Sequence, residues 1–386
     1  MTVLFAPHLR AAPAAPQDFF RRGPFAFHYA PVLSEERLAW YENFDVLVTH
    51  DPLPAEQVRR LHAAGTRLLM YEWSVAFYET RATPWQRSLI RNGNGQLLNT
   101  EPLTGGVGSA AAPAWYFDPA SEQHAVLRSR DIARRLAQYD YDGVFFDTTR
   151  FESVHPSAQR EYARRHPSTP FDAAFARFLV QLREQRPGIV IFTNQGYRSA
   201  EYYLPYVDWD LSESLITGPA GGGYRLRAWD DPATPWSSVR FVMNRMIEPL
   251  VLRYPRVRFA HLNYADGSHE SIAVAVAAAQ IFGGEAFVAA PDLGDEADFS
   301  YFRDPGRPLS VRVDEAGRFS YRFFENGLIV VAATEGCVVI PNPGARPLRD
   351  RATGVTVCGD EIVLAPPSAA PHAFFLDAVP SCGAGG

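Results

Sequence analysis

The sequence predicts an α/β fold: a (β/α)8 TIM barrel followed by a small C-terminal antiparallel β domain. Three observations predict it. Eight short runs rich in Val, Ile, Phe and Leu recur along the chain, helical patterns lie between several of them, and short strands broken by Pro, Gly and Asp take over from about Asp304. The chain has 386 residues. One plain barrel takes about 250, which leaves room for a second domain.

The eight runs are Phe25–Tyr29, Phe44–Thr49, Arg67–Tyr71, Gly143–Asp147, Gly188–Thr193, Val207–Ser212, Val257–Asn263 and Ala286–Ala290. Several are apolar at consecutive positions, as strands covered on both faces are. A helix is predicted at Pro54–Ala64, after the second run. Another is predicted at Ser121–Tyr139, before the fourth, with Val126, Ile132, Leu136 and Tyr139 as its apolar positions. Pro170–Arg186, before the fifth, aligns Phe171, Ala174, Phe175, Phe178 and Leu182 on one stripe. Ser268–Phe282, before the eighth, is almost wholly apolar after its first turn and should be well buried. An open doubly wound sheet is the alternative. That fold wants a glycine-rich phosphate loop after its first strand, where Phe27-His28-Tyr29-Ala30-Pro31 stands instead.

Between the third and fourth runs lies a long excursion with the turn Asn92–Gly95 and the Gly/Ala-rich stretch Gly105–Ala112. On a barrel such an excursion shapes a substrate cleft. Gly105-Gly106-Val107-Gly108 and Gly221–Gly223 read as plain loops rather than phosphate cradles. In the C-terminal part, Arg318–Phe324 and Leu328–Ala333 flank Glu325-Asn326-Gly327, a hairpin signal, with further short strands near Val338, Val355 and Ile362. The expected organisation is a tail over 1–24, a barrel over 25–303, a β-sandwich-like domain over 304–380 and a disordered tail over 381–386.

Composition excludes several chemistries. All 37 basic residues are Arg and none is Lys. Schiff-base aldolases, pyridoxal-phosphate enzymes and P-loop proteins all need a lysine. The net charge of −6, with no basic stretch, argues against a nucleic-acid partner. Aromatic residues make up 13 %, which suits either the flat faces of sugar rings or a larger core. No apolar run is long enough for a transmembrane span. The first 24 residues lack the basic-then-apolar order of a secretory signal, so no compartment is assigned. Cys337, Cys358 and Cys382 form no C-x-x-C, which leaves structural zinc unsupported. They read either as a Cys337–Cys358 pair in an exported chain or as free buried thiols. No cofactor is expected, and the sequence sets no oligomeric state.

Barrel chemistry sits at the C-terminal ends of the strands. In order, those ends carry His28 and Tyr29; His50 and Asp51; Tyr71, Glu72 and Trp73; Asp147 with Thr148, Thr149, Arg150 and Glu152; Asn194 and Gln195; Glu213; and Asn263, Tyr264 and Asp266. Glycoside cleavage needs this mix of carboxyls, amides and rings. Asp147 ends the strongly apolar Val144-Phe145-Phe146 and is the first candidate carboxylate; its alternative is an Asp that bonds a neighbouring loop. Glu213 is the second, with a rim salt bridge as its alternative. Glu72 and Glu152 are weaker candidates. Asn194 reads equally as a sugar ligand or a loop brace. Tyr29, Tyr71, Trp73 and Tyr264 read as sugar platforms or as rim packing. Arg150 reads as a contact for a charged substrate or a partner of Glu152. Asp142-Gly143, at the opposite end of the fourth strand, reads as a turn. His28, His50 and His261 with Asp147 suggest a competing metallohydrolase, but no H-x-H follows the first strand and no metal is expected. No H-E-x-x-H or G-x-S-x-G occurs. A non-catalytic carbohydrate-binding barrel is the remaining alternative.

Tyr141-Asp142-Gly143-Val144-Phe145-Phe146-Asp147 resembles the "fDGvflD" signature of the glycoside hydrolase family 114-like barrels, which include endo-α-1,4-polygalactosaminidases. Trp115–Pro119 resembles their aromatic-Asp segment, Ile191–Gly196 their "iiNqG" strand, Asp208–Ser214 their sixth strand ending in Glu-Ser, and Leu262–Ala265 their seventh near "dYa". The likeness runs in order over residues 25–290 and is best over 115–265. Asn326–Val331 and Leu364–Pro367 resemble β domains that follow many glycosidase barrels. The resemblance implies hydrolysis of an α-linked polysaccharide or oligosaccharide, with Asp147 as nucleophile and Glu213 as acid/base. It also implies substrate contacts at Asn194 and Tyr264, with Asp118 as a further candidate from the aromatic-Asp segment. One departure stands out: relatives often carry Gly-Glu shortly after strand three, where this chain has Tyr71-Glu72-Trp73-Ser74-Val75-Ala76. An amino-sugar substrate therefore does not follow.

Overall fold

The computed structural model describes residues 3–5, 25–29, 33–77, 90, 99–100, 114–154, 156–220, 223–231, 233, 238–264, 269–289, 305–315, 317–368 and 370–382. The loops Asn92–Gly95 and Gly105–Ala112, Gly221, Asp266, most of the expected N-terminal tail and the last four residues lie outside that set. The fold is the expected barrel type with a C-terminal β domain. Its barrel strands are β1 (Ala26–His28), β2 (Val46–Thr49), β3 (Arg67–Trp73), β4 (Gly143–Asp147), β5 (Val190–Asn194), β6 (Trp209–Glu213), β7 (Arg258–Tyr264) and β8 (Glu285–Ala289), in sequence order across one sheet. The chain divides into two compact units, one of Ala26–Leu211 with Tyr254–Val257, the other of Met1–Phe25, Ser212–Arg253 and Arg258–Gly386.

In the first unit each strand from β1 to β6 pairs in parallel with the next. Strand side chains alternate between faces, so Phe27, Phe145, Phe192 and Trp209 fall on one face. Their rings meet in series, Phe27 to Phe145 at 5.0 Å, Phe145 to Phe192 at 5.1 Å and Phe192 to Trp209 at 5.5 Å. Phe146 points the other way. It packs on Phe175 and Phe178 of the helix Phe171–Gln185, whose apolar stripe follows the predicted positions. Ala55–Ala64 and Ser129–Tyr139 are helical as expected, the latter entered through a π-helical turn at His124–Arg128. Glu35–Tyr41 and Pro156–Arg165 are helices that the apolar pattern does not announce.

In the second unit β7 pairs in parallel with β8. The helix His269–Ile281 packs on β8 and also on three strands of the β domain, which explains why it is apolar on every side. The β domain has a six-stranded sheet containing the predicted hairpin, Phe319–Phe324 with Gly327–Ala332, and a three-stranded sheet. Leu328, Val330, Phe374 and Leu376 from the first share a core with Val338, Ile340, Ile362 and Leu364 from the second. Val3–Phe5, inside the expected tail, is a strand of the three-stranded sheet, parallel to Glu361–Ala365. After β6, Thr217–Ala220 pairs antiparallel with Gly223–Leu226, while Gly221 and Gly222 lie outside the described residues. Among the described residues no helix is long and apolar enough to cross a membrane.

The cysteine pairing differs from both expectations. Cys358 is bonded to Cys382, with Cα atoms 6.0 Å apart, and Cys337 is an exposed free thiol. Strand His372–Ala378 carries Cys382 to Cys358, a long-range placement that spacing alone does not reveal. The bond closes a loop with a sequence separation of 24. Cys358→Ser should lower stability by about 3 kcal/mol. The check is the guanidinium midpoint, which reductant should lower in the wild type and leave alone in the variant.

Candidate active site

Asp147 is the last residue of β4 and shares the inward parity of Phe145, so its carboxylate lies one step beyond the aromatic layer. Both of its oxygens accept hydrogen bonds. Asn194 Nδ2 donates to Oδ1 at 2.7 Å and Tyr71 Oη donates to Oδ2 at 2.5 Å. This is the acceptor-only role of an ionised carboxylate. Asn194 ends β5 on the inward parity of Phe192, so neighbouring strands place the amide beside the acid. Tyr71 is not simply a platform: its ring packs against His50 at 4.6 Å and Phe145 at 5.6 Å while its hydroxyl holds Asp147. Trp73 meets Tyr71 edge-on at 5.7 Å, and the 52 % exposed Tyr29 stacks on Phe27 at 6.0 Å.

The backbone after each candidate strand end is unusual. Among the described residues five non-glycines have positive φ, and three of them directly follow a candidate residue: Thr148 at 55°, Gln195 at 67° and Ser214 at 55°. Such a conformation costs an ordinary residue roughly 1–2 kcal/mol. It is held by bonds to the next strand. Thr149 Oγ1 donates to the Asn194 carbonyl at 2.5 Å, Gln195 N–H to that of Leu211 at 2.7 Å and Ser214 N–H to that of Leu262 at 2.8 Å.

In the second unit, Tyr264 Oη donates to Glu213 Oε1 at 2.9 Å. Asn263 braces the loop that leaves Glu213, its Oδ1 accepting from the N–H groups of Ile216 at 2.9 Å and Thr217 at 3.2 Å. Tyr264 is thus a partner of the candidate acid, like Tyr71 in the other unit.

The remaining candidates are placed elsewhere. Glu72 points to the outer face and pairs with Arg135 at 2.5 Å. Asp118 is buried, bonded to His166 at 2.9 Å and to the Ala120 N–H at 3.2 Å. Glu152 lies exposed in the short 3-10 turn Phe151–Ser153, and Arg150 is half-buried near Tyr197. His28 contacts the Tyr41 hydroxyl at 3.3 Å. His261 bonds Ser212 Oγ at 2.5 Å, and burial pushes its imidazole down to about 4. Among the described residues no group of three or more His, Cys, Asp or Glu is arranged to hold a metal ion.

Two buried groups that were not among the candidates support this rim. Arg128, on the π-helical turn, lies over Phe117 at 4.0 Å and donates to the carbonyls of Trp73 and Ser74. Ser74 in turn donates its N–H, at 2.9 Å, and its hydroxyl to the Asp147 carbonyl. Burial lowers the Arg128 guanidinium to about 10. The second group is Asp210, on the outward parity of β6, whose carboxyl burial pushes up to about 7 against donors at Thr193, Tyr197 and Gly196. Its unfolded value is about 3.9. The folded chain therefore binds this proton more tightly than the unfolded chain, so ionisation costs stability as pH rises through that window. From pH about 4 to 7 the wild type should lose stability relative to Asp210→Asn, with no further change above, as measured by urea denaturation across pH.

No protein-family model and no curated protein matches the chain. Solved structures do. A noncanonic maltogenic α-amylase, AmyB from Thermotoga neapolitana, aligns at TM-score 0.57 and 10 % identity over 92 % of this chain and 99 % of its own. An α-amylase from Malbranchea cinnamomea aligns at TM-score 0.51 and 13 % identity over 94 % and 97 %. The glycoside hydrolase domain of PelA from Pseudomonas aeruginosa is 22 % identical over 69 % and 94 %, at TM-score 0.49. At these identities the likeness is one of fold alone.

Proposed function

We propose that this chain is a glycoside hydrolase of the family 114-like type, cleaving an α-linked polysaccharide or oligosaccharide with Asp147 and Glu213 as its carboxylates. The observation that carries the reading is Asp147 itself, a strand-end acid with both oxygens held by Tyr71 and Asn194. In this reading Asp147 attacks the anomeric carbon, and the departing sugar oxygen takes a proton from Glu213. Water then attacks the glycosyl ester, giving its proton to Glu213 and freeing Asp147. Tyr264 orients Glu213 through its hydroxyl. Tyr29 and Trp73 supply ring faces for sugar, with Arg150 a further substrate contact. Asp118 is held by His166 at 2.9 Å.

The test is a panel of polysaccharides and oligosaccharides assayed for new reducing ends with the wild type, Asp147→Asn and Glu213→Gln. Loss of activity in both variants is expected. Unchanged hydrolysis in both would sink the assignment.

A further inference from the structure

We propose that Asp210 is a positioning residue of this site, clamping the turn Thr193–Tyr197 from the outer face of the sheet and so holding Asn194 against Asp147. The inference rests on the reading of Asp147 as a catalytic carboxylate. Asp210 is 1 % exposed, and its neighbours in β6, Trp209 and Leu211, face the opposite way. Its Oδ1 accepts from Thr193 Oγ1 at 2.7 Å and from the Gly196 N–H at 2.8 Å, and its Oδ2 from the Tyr197 N–H at 2.7 Å. These donors bracket Asn194 and Gln195 on both sides. Of the two residues between them, Gln195 takes the left-handed conformation, which turns the chain directly after the amide that binds Asp147.

Gly196 belongs to the same device. A Cβ there would lie 2.7 Å from Asp210 Oδ1 and 2.8 Å from Thr193 Oγ1, so only glycine lets the backbone approach the carboxylate this closely. The Asn-Gln-Gly segment thereby acquires three roles: an amide for Asp147, a left-handed turn, and a close approach to a buried acid. Asp208, two residues earlier on the same outward parity, does the matching job at the other end of β5. It accepts from the Ile191 N–H at 2.8 Å and pairs with Arg183 at 2.7 Å. Asp208 is far along the strand from Asn194, which makes it an internal control for a carboxylate that braces the strand pair without touching the turn.

The experiment is a double-mutant cycle of Asp210→Asn and Asn194→Ala on the hydrolysed glycan, read with the side-chain amide NMR signals of Asn194. Asp210→Asn should lower kcat on the order of 10- to 100-fold, with KM changed far less, because misplacement of a reacting group costs rate. The double variant should be scarcely slower than Asn194→Ala alone, since both act through one contact. The Asn194 amide pair should shift in Asp210→Asn in the direction it shifts in Asp147→Asn. Asp208→Asn should leave that pair in place. Additive losses, or an unmoved amide pair in folded Asp210→Asn, would overturn the proposal. If Asp210→Asn does not fold, Thr193→Val removes one donor at nearly constant volume and should give the same shifts, smaller; an unmoved pair there overturns it equally. If the wild type cleaves no glycan, the glycosidase reading falls, and the amide signals still decide whether the clamp exists.

Discussion

Asp147→Asn is expected to lower kcat on the order of 10⁴-fold, about 5.5 kcal/mol in the barrier, with the fold intact. The substitution keeps the volume of the side chain, and its amide can still meet Tyr71 and Asn194, whose hydroxyl and amide each both donate and accept. What is lost is the charge and the nucleophile. Removing the donors one at a time should give smaller losses, because a hydrogen bond to a charged group is worth about 1.5–3 kcal/mol. Tyr71→Phe and Asn194→Ala should each therefore slow the reaction roughly 10- to 100-fold. The measurements are steady-state kinetics and thermal midpoints of the three variants. Asp147→Asn retaining more than a tenth of wild-type activity would remove Asp147 from the chemistry. A Tyr71→Phe rate equal to the wild type would leave Tyr71 as rim packing, the other reading its position allowed.

What could be read from the sequence depended on how local the physics was. β4 emerged with its boundaries because an apolar run is bracketed by Asp142-Gly143 and Asp147. β3 was read as ending at Tyr71 but continues to Trp73. Glu72, a weaker carboxylate candidate in the sequence, continues the strand on its outer face, where it pairs with Arg135. The helix Pro156–Arg165 buries only Ala158 and Tyr162, too little apolar signal to announce itself. The points where the apolar runs stop were enough to place Asp147, Asn194 and Glu213 at strand ends. It could not say that Tyr71 bonds Asp147, since that contact depends on the register between β3 and β4, which pairs Trp73 with Asp147 and Tyr71 with Phe145. Arg128 and Asp210 were invisible for the same reason: their partners are backbone groups that only the folded chain brings to them.

The second large effect concerns the motif that ends in Asp147, which is mostly architecture. The Tyr141 hydroxyl is hydrogen-bonded to the Thr49 hydroxyl at 2.6 Å and accepts from the Leu53 N–H at 3.0 Å. Asp142, expected to be only a turn, caps the start of β3 by accepting from the Leu68 N–H at 2.8 Å and also meets His62 at 3.0 Å. Gly143 lies in register with Leu69 on one side and Val190 on the other. A Cβ at Gly143 would sit 2.1 Å from the Val190 carbonyl oxygen and 2.8 Å from Leu69 Cδ2. The first obstacle is backbone, held in the sheet, so it cannot rotate away. Overpacking ordinarily costs about 1–3 kcal/mol, and a clash with a paired strand belongs at or beyond the upper end. Gly143→Ala should therefore lose at least about 3 kcal/mol in urea denaturation. It should also lose activity in the folded fraction, because a displaced β4 carries Asp147 with it. Gly188→Ala is the contrasting case. Gly188 has φ +83° but nothing within 4 Å of a Cβ, so alanine there should cost only about 1 kcal/mol and leave activity unchanged. Equal losses in the two variants would mean that backbone conformation, not the close approach of β4 to β5, is what the glycine of this motif provides.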